Sequence, residues 1–333
     1  MTRVAVFGSG SWGTAFSLVL ADAGNDVTLW ARRAELSDLI NTKHENSDYL
    51  PGIELPDAIS ATSDPAEALS DAAIVVLAVP SQSLRPNLEH WAGEIRQDAV
   101  LVSLMKGVEL GTAKRMSEVI EEVAGIGDDR VAVLTGPNLS HEIAARQPAA
   151  AVIACADEAV ARRLQRLCHS PTFRPYTNTD VVGCELGGAT KNVIALAVGM
   201  AIGLGFGDNA RASVITRGLA ETARLGEILG ADPYTFSGLA GLGDLVATCS
   251  SPLSRNRAFG EKLGQGHSVG EISGGTRQVA EGVKSCESIR DLAARHEVEM
   301  PIVEHVADLL AGRLSPREML MSLVSRAAKP ERA

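Results

Sequence analysis

The stretch VAVFGSGSWGTAF, residues 4–16, constrains this chain more than any other. An apolar run of strand type breaks at three glycines, Gly8, Gly10 and Gly13, and resumes with helix-forming residues. In a G-x-G-x-x-G turn the first glycine permits a tight reversal, the second lets backbone approach a pyrophosphate, and the third lets helix pack close on strand. The helix that follows then offers free N–H groups to the phosphate. Alone the pattern is weak, since glycines often mark nothing but a turn. Here it follows a strand and leads to a second one, DVTLW, so it predicts a dinucleotide site.

Up to about residue 180, β-rich runs alternate with helix-like segments: RVAVF, DVTLW, AAIVVLAV, AVLVSL, VAVLT and AAVIAC. That rhythm is the signature of parallel βαβ units, and runs apolar at consecutive positions read as strands covered on both faces. DPAE at 64–67 sets Asp, Pro and Glu where a helix start needs them. After FRPYTNTD the strand signals stop. VITRGLAETARLGEIL aligns Ile215, Leu219, Ala223 and Ile228 on approximately one face, and SPRE at 315–318 opens a final helix. The expected fold is α/β, with a Rossmann-type, doubly wound, mainly parallel sheet over residues 1–180. An all-helical domain over residues 181–333 is expected to carry substrate binding and catalysis.

Composition removes several classes of function. A formal charge of −10 and 4% aromatic content argue against nucleic-acid binding, so an anionic ligand would need basic groups gathered locally. Five scattered cysteines without a C-x-x-C pair suggest neither a disulfide framework nor a zinc site, and a reducing cytoplasm fits them best. No metal is expected. The chain enters a strand after MTR, so no signal peptide is expected, and the apolar stretch from Val193 to Phe206 is too short and glycine-rich for a membrane span.

At the end of the second strand, where Asp or Glu usually meets a free ribose 2′-OH, this chain has WARRAE. Arg32 and Arg33 could instead pair with a 2′-phosphate, which favours NADP(H), and Glu35 lies too far along for the ribose role. Three stretches compete for the substrate chemistry. CELGGATKNVIALAVG places Lys191 and Asn192 at the head of an apolar helix, where desolvation would lower an amine pKa toward neutrality and suit it to proton exchange with a carbonyl. Taken alone, Lys191 also fits a lysine snorkelling from a helix end. In GLAGLGDLVATCSSPLSRNRAFG, Asp244 sits in a glycine-rich loop that could hold an ammonium. Ser254, Arg255 and Asn256 stand where a helix begins and read either as a phosphate cradle or as a plain N-cap with solvated neighbours. Lys106, in LVSLMKGVE, ends a predicted strand, where ligands of open α/β sheets bind.

Together, GSGSWGTA, LMKGVE, TGPNLSHEIA, GGATKNVIA, GFGDNARA and AGLGDLVATC…SRNRAFG resemble the bacterial NAD(P)-dependent glycerol-3-phosphate dehydrogenases, from Val4 to about Arg326. The resemblance implies interconversion of dihydroxyacetone phosphate and sn-glycerol 3-phosphate with NADP or NAD, supplying phospholipid synthesis, in a site between the two domains. It implies that Lys191 is the proton donor and acceptor. Lys106, Gly136, Asn138, Lys191, Asp244, Ser254, Arg255 and Asn256 match substrate positions. Ser11, Trp12, Arg32, Arg33, Lys106, Ser140, Arg255, Val279 and Glu281 match cofactor positions, beside Gly8, Gly10 and Gly13. Asn138 departs from the Ser or Thr common in the family, and Trp12 replaces a frequent Tyr. A basic set of Lys106, Lys191, Arg255 and Arg257 would reconcile an acidic chain with anionic ligands. A homodimer is expected from the family and the apolar bulk of the C-terminal helices. Two other readings compete: a two-domain β-hydroxyacid dehydrogenase, which would bind a carboxylate, and a non-catalytic NADPH sensor, against which the retention of Lys191, Asn192 and Asp244 speaks.

Overall fold

Among the described residues, eight strands form one sheet: β1 (Arg3–Phe7), β2 (Asp26–Trp30), β3 (Ile59–Thr62), β4 (Ile74–Leu77), β5 (Val100–Ser103), β6 (Val131–Thr135), β7 (Ala149–Cys155) and β8 (Phe173–Asn178). Their order is β3-β2-β1-β4-β5-β6-β7-β8, and all neighbours are parallel except β6 and β7. The computed structural model describes residues 2–274, 280–325 and 330. The strands β1, β4, β5 and β6 are buried at almost every position, as their unbroken apolar runs predict. Two strands escape the sequence rhythm. ISAT in β3 is four residues long, and FRPYTN in β8 carries Arg174 and Pro175, which suit an edge and weaken the strand signal.

Helices α1 (Ser11–Asp22), α2 (Ala34–Lys43), α3 (Pro65–Leu69), α4 (Leu84–Trp91), α5 (Met116–Ala124), α6 (Ser140–Ala144) and α7 (Glu158–Cys168) fall between the strands. One apolar core lies between the sheet and α1, and another packs β4 and β5 against α4 and α5. At the start of α3 the Asp64 side chain accepts the Ala66 N–H at 2.9 Å, which is the N-cap read from DPAE.

The chain then becomes helical: α8 (Val181–Gly203), α9 (Asp208–Ile228), α10 (Pro233–Ser237), α11 (Asp244–Ser250), α12 (Arg255–Gly264), α13 (Val269–Gly274), α14 (Glu281–Arg295), α15 (Pro301–Leu310) and α16 (Pro316–Val324). Among the described residues α8 is the one helix long and apolar enough to cross a membrane, and 89% of its apolar window is buried inside the protein. It is the axle around which α9, α11, α12 and α14 pack. The approach of α12 is backbone to backbone: a Cβ on Gly199 would lie 2.1 Å from the Arg257 carbonyl oxygen, and one on Gly260 2.1 Å from that of Leu196.

The stripe expected on α9 requires correction. Its buried residues are Gly218, Glu221, Thr222, Leu225 and Gly226, while Ile228 is 61% exposed. Ile228 follows Ala223 by five residues, which carries it about 140° around the helix. Glu221 does different work. Both its carboxylate oxygens accept the Ile302 N–H at 3.0 Å, so it caps α15 from a neighbouring helix.

Burial raises the Glu221 carboxyl pKa to about 7, against the Ile302 N–H and Arg224, which favour the ion. Because this folded value lies above the ordinary 4.5, the stability contributed by the neutral carboxyl is complete below 4.5 and is lost as pH rises through about 7. Glu221→Gln should therefore melt alongside the wild type near about pH 5 and above it near about pH 8. Melting temperatures that stay parallel across this range would remove Glu221 as the source of the slope.

Candidate active site

A cavity of about 430 Å³ opens at the carboxyl ends of the neighbouring strands β1 and β4, where the strand order reverses, and its far wall is built by α8, α11, α12 and the start of α14. Its near wall is the glycine turn. Gly8 has φ +128° and lies so close to β4's exit that a Cβ would sit 2.5 Å from the Ala78 carbonyl oxygen; at Gly13 a Cβ would sit 1.9 Å from the Gly8 carbonyl oxygen. Gly10, which caps α1 without any side-chain bond, has nothing within 4 Å of where a Cβ would be. The outer glycines serve packing, and the middle one faces open cavity in front of the free N–H groups of α1.

A segment unremarked in the sequence pins this turn. Asn46, fully buried between α2 and β3, donates its amide hydrogens to the Ser9 carbonyl at 2.9 Å and to Thr14 Oγ1 at 2.8 Å. Ser11 Oγ donates to the Tyr49 carbonyl at 3.0 Å, and the Tyr49 side chain joins the cavity wall. The signal was the polar run HENSDY before LPG, which reads as loop rather than as a buried anchor. Trp12 lines the cavity, packs on Phe16, and leaves its buried indole Nε1 without a partner. An orphan donor beside a turn shaped for pyrophosphate fits a dinucleotide.

The floor holds the most strongly coupled charges. Asp244 is 1% exposed and its two carboxylate oxygens accept from two lysines: Lys191 Nζ at Oδ1, and Lys106 Nζ at Oδ2 at 2.6 Å. Lys106 also donates to the Gly136 carbonyl at 3.0 Å, where φ is +120°. Lys191 donates further to Thr248 Oγ1 at 2.7 Å. Burial lowers the Lys191 pKa to about 7, Asp244 opposes this, and the nearby Lys106 charge assists it. An ammonium so placed is held by a carboxylate yet gives up its proton near neutrality, as a general acid must.

Two sequence expectations are corrected here. Lys191 is the eleventh residue of α8, which starts at Val181 behind the Asp180 cap, so it stands deep in the helix rather than at its head. Gly187 and Gly188 do not break the helix; they admit the Ala240 carbonyl and the Thr135 and Lys106 side chains against it. Asp244 is not in a loop either. GLAGLG winds into a π-helical turn over 239–243, and Asp244 opens α11. That puts Thr248 one turn further along, beside Asp244, a residue whose i, i+4 spacing was the overlooked signal.

Of the remaining predicted residues, Ser11, Arg32, Asn138, Ser140, Ser254, Arg255, Asn256 and Glu281 all line the cavity. Ser254 caps α12, accepting the Arg257 N–H at 3.3 Å. Asn256 donates to Asn192 Oδ1 at 2.9 Å and accepts the Gly282 N–H at 3.0 Å, which ties α8, α12 and α14 together. Both amide atoms of Asn138 are buried without partners. Burial raises the Glu281 pKa, while Arg255 and Lys106 favour its ion. Two basic residues do not join the set: Arg257 turns to Glu261 at 3.6 Å, and Arg33 pairs with Asp48 outside the cavity. Val279 lies outside the described residues.

This division of the glycines has a direct test. Gly10→Ala should cost less than about 1 kcal/mol of stability, because an N-cap accepts Ala at modest expense, yet weaken dinucleotide binding by about tenfold or more. Gly13→Ala should cost about 1 to 3 kcal/mol through overpacking. Calorimetric binding and thermal melts on the two variants separate the effects, and equal loss of stability in both would contradict the assignment.

The comparisons with known proteins agree with this geometry. Residues 3–161 match the family model for the NAD-dependent glycerol-3-phosphate dehydrogenase N-terminus, and residues 180–321 match the C-terminus model. A Streptomyces avermitilis protein named glycerol-3-phosphate dehydrogenase [NAD(P)+] is 67% identical over 99% of this chain and 98% of the relative. One of the same name from Thermobifida fusca is 63% identical over 100% of this chain and 99% of the relative. The crystal structure of glycerol-3-phosphate dehydrogenase from Coxiella burnetii superposes with a TM-score of 0.93 at 35% identity, covering 98% of this chain and 99% of that one. With both family models matched in order along a sheet domain and a helical domain, the chain belongs to the NAD-dependent glycerol-3-phosphate dehydrogenase family.

Proposed function

We propose that this protein reduces dihydroxyacetone phosphate to sn-glycerol 3-phosphate, reversibly, with NADPH or NADH. The observation that carries the reading is Asp244, buried between Lys191 and Lys106 at the floor of a cavity whose wall is a dinucleotide turn. In this reading residues 1–180 hold the dinucleotide, and residues 181–333 supply the substrate and proton-transfer groups. The change from β8, ending at Asn178, to α8, starting at Val181, supports that division. The product is the glycerol backbone of phospholipids.

When bound, the nicotinamide exchanges a hydride with substrate C2. The α1 N-terminus at Gly10 and Ser11 would hold the pyrophosphate, Trp12 and Ser140 would line its path, and Arg32 would meet the adenosine ribose. Glu281 and Arg255, side by side at the opposite wall, would border the nicotinamide end. Lys191 Nζ gives its proton to the substrate oxygen as charge grows there, and its alkylammonium returns by taking a proton from solvent. Asp244 and Thr248 fix the direction of that ammonium. Lys106, Ser254, Arg255, Asn256 and the N-terminus of α12 form the phosphate cradle. Asn138 offers a donor and an acceptor to the substrate hydroxyl, which would satisfy its two orphan atoms.

All five cysteines are buried free thiols, which supports residence in the reducing cytoplasm. Exposed Ile228 and Tyr234, on the rim of α9 and α10, support a homodimer.

Two outcomes test the chemistry. Lys191→Met should lower kcat by about 10²- to 10⁴-fold while leaving dinucleotide affinity near wild type. In the wild type, reduction should slow as pH rises through the lowered Lys191 pKa and oxidation should quicken, because one needs the ammonium and the other the amine. Asp244→Asn removes the carboxylate that favours the ammonium, so the limb should move to lower pH. A kcat profile unmoved by Asp244→Asn would take Lys191 out of the proton transfer.

The phosphate cradle makes a separate demand. Unphosphorylated dihydroxyacetone should be a very poor substrate, with kcat depressed as well as KM raised, since phosphate binding is used to orient the carbonyl. Arg255 is exposed at the cavity wall, so Arg255→Ala should cost about 1 to 2 kcal/mol in kcat/KM rather than the larger penalty of a buried charge pair. Faster reduction of a β-keto acid than of dihydroxyacetone phosphate would overturn the substrate assignment.

A further inference from the structure

The two arginines at the exit of β2 are not equivalent. Arg32 lines the cavity and, among the described residues, has no hydrogen bond or ion pair. Arg33 precedes α2 and donates to Asp48, with side chains 47% and 35% exposed. Asp48 is not a carboxylate on a loose loop. It lies in the segment anchored by Asn46, whose carbonyl accepts the Tyr49 N–H at 3.2 Å and the Leu50 N–H at 2.8 Å in a closed turn. The same Asn46 grips the glycine turn through Ser9 and Thr14. Asp48 thus sits on a segment tied to the glycine turn through Asn46.

We infer that Asp48 is a specificity-determining residue that withholds Arg33 from the ribose 2′-phosphate, leaving Arg32 as the one arginine facing it and narrowing the preference for NADP(H) over NAD(H). The inference rests on the reading that the cavity holds a dinucleotide. Its physical basis is competition for one guanidinium. An arginine fork pairs with a carboxylate or with a phosphate through the same N–H groups, so binding a 2′-phosphate at Arg33 must first break the Asp48 pair. An exposed pair of this kind is worth up to about 1 kcal/mol, which corresponds to a selectivity change of about fivefold.

The test uses 2′-phospho-ADP-ribose and ADP-ribose as probes, titrated calorimetrically into the full chain, so that binding is read without turnover. Asp48→Asn should tighten 2′-phospho-ADP-ribose by about fivefold and leave ADP-ribose within about twofold of wild type. The gain should vanish when Asp48→Asn is made in an Arg33→Ala background. Arg33→Ala alone should weaken 2′-phospho-ADP-ribose less than Arg32→Ala does. An unchanged ratio of the two affinities in Asp48→Asn overturns the proposal, as does a gain that persists without Arg33, since that would be a simple charge effect of Asp48. Failure of the wild type to bind either probe would overturn the dinucleotide reading itself.

Discussion

The buried carboxylate of Asp244 is the interaction on which the rest of the site depends. Two ammonium groups converge on the cavity floor from different parts of the chain: Lys106 from the loop after β5, and Lys191 from the middle of α8. Without a negative charge between them they would repel in a poorly solvated space, and burial would drive Lys191 further toward the neutral amine. Asp244 makes their approach tolerable and ties the sheet to the helices. A second junction repeats the arrangement at the edge of the interface. Buried Glu185 of α8 accepts Arg115 Nη1 at 2.6 Å and the Ser117 N–H at 2.8 Å, so α5 is held by its N-terminus. The cavity is therefore bounded by groups that cannot shift independently.

This local set explains how a chain of formal charge −10 can serve doubly anionic ligands. Lys106, Lys191, Arg32 and Arg255 all border one cavity, the buried Asp244 offsets one of the two lysine charges, and low-dielectric walls concentrate the remaining positive field there. Arg257 and Arg33, which composition alone would add to the set, are neutralised by Glu261 and Asp48. Counting basic residues near a motif overstates the field, because acidic partners on the same helix or a neighbouring segment take their share.

Much of the fold was legible because its signals are local. Consecutive apolar residues announced β1, β4, β5 and β6, and the glycine turn announced α1. What was not legible depends on tertiary contact. The antiparallel turn of β7 leaves no mark on its own residues, and β8 carries a proline that reads as a break. Most of the motif residues line one cavity, but their setting in the fold differs from the sequence reading. Gly241 and Gly243 read as loop in the sequence, whereas in the fold they belong to a π-helical turn, and Gly187 on α8 admits the Ala240 carbonyl of that turn. Asn46, a polar residue in a polar run, shows its role only when Ser9 and Thr14 are brought against it.

Under the proposed function, the same geometry would couple substrate binding to the readiness of Lys191 as the acid. In the free protein the Lys191 ammonium is opposed by burial and by Lys106, and is favoured by the Asp244 carboxylate. A phosphate seated in the proposed cradle between Lys106 and the start of α12 would bring negative charge to the lysine that opposes Lys191. Screening that charge raises the Lys191 pKa and retains its proton through the approach of the carbonyl. After proton transfer in the proposed reaction, the floor would hold one ammonium and one carboxylate, Lys106 and Asp244, already in contact at 2.6 Å. The charge that must be stabilised after transfer is thus met by a pair in place beforehand, with little reorganisation left for the reacting step.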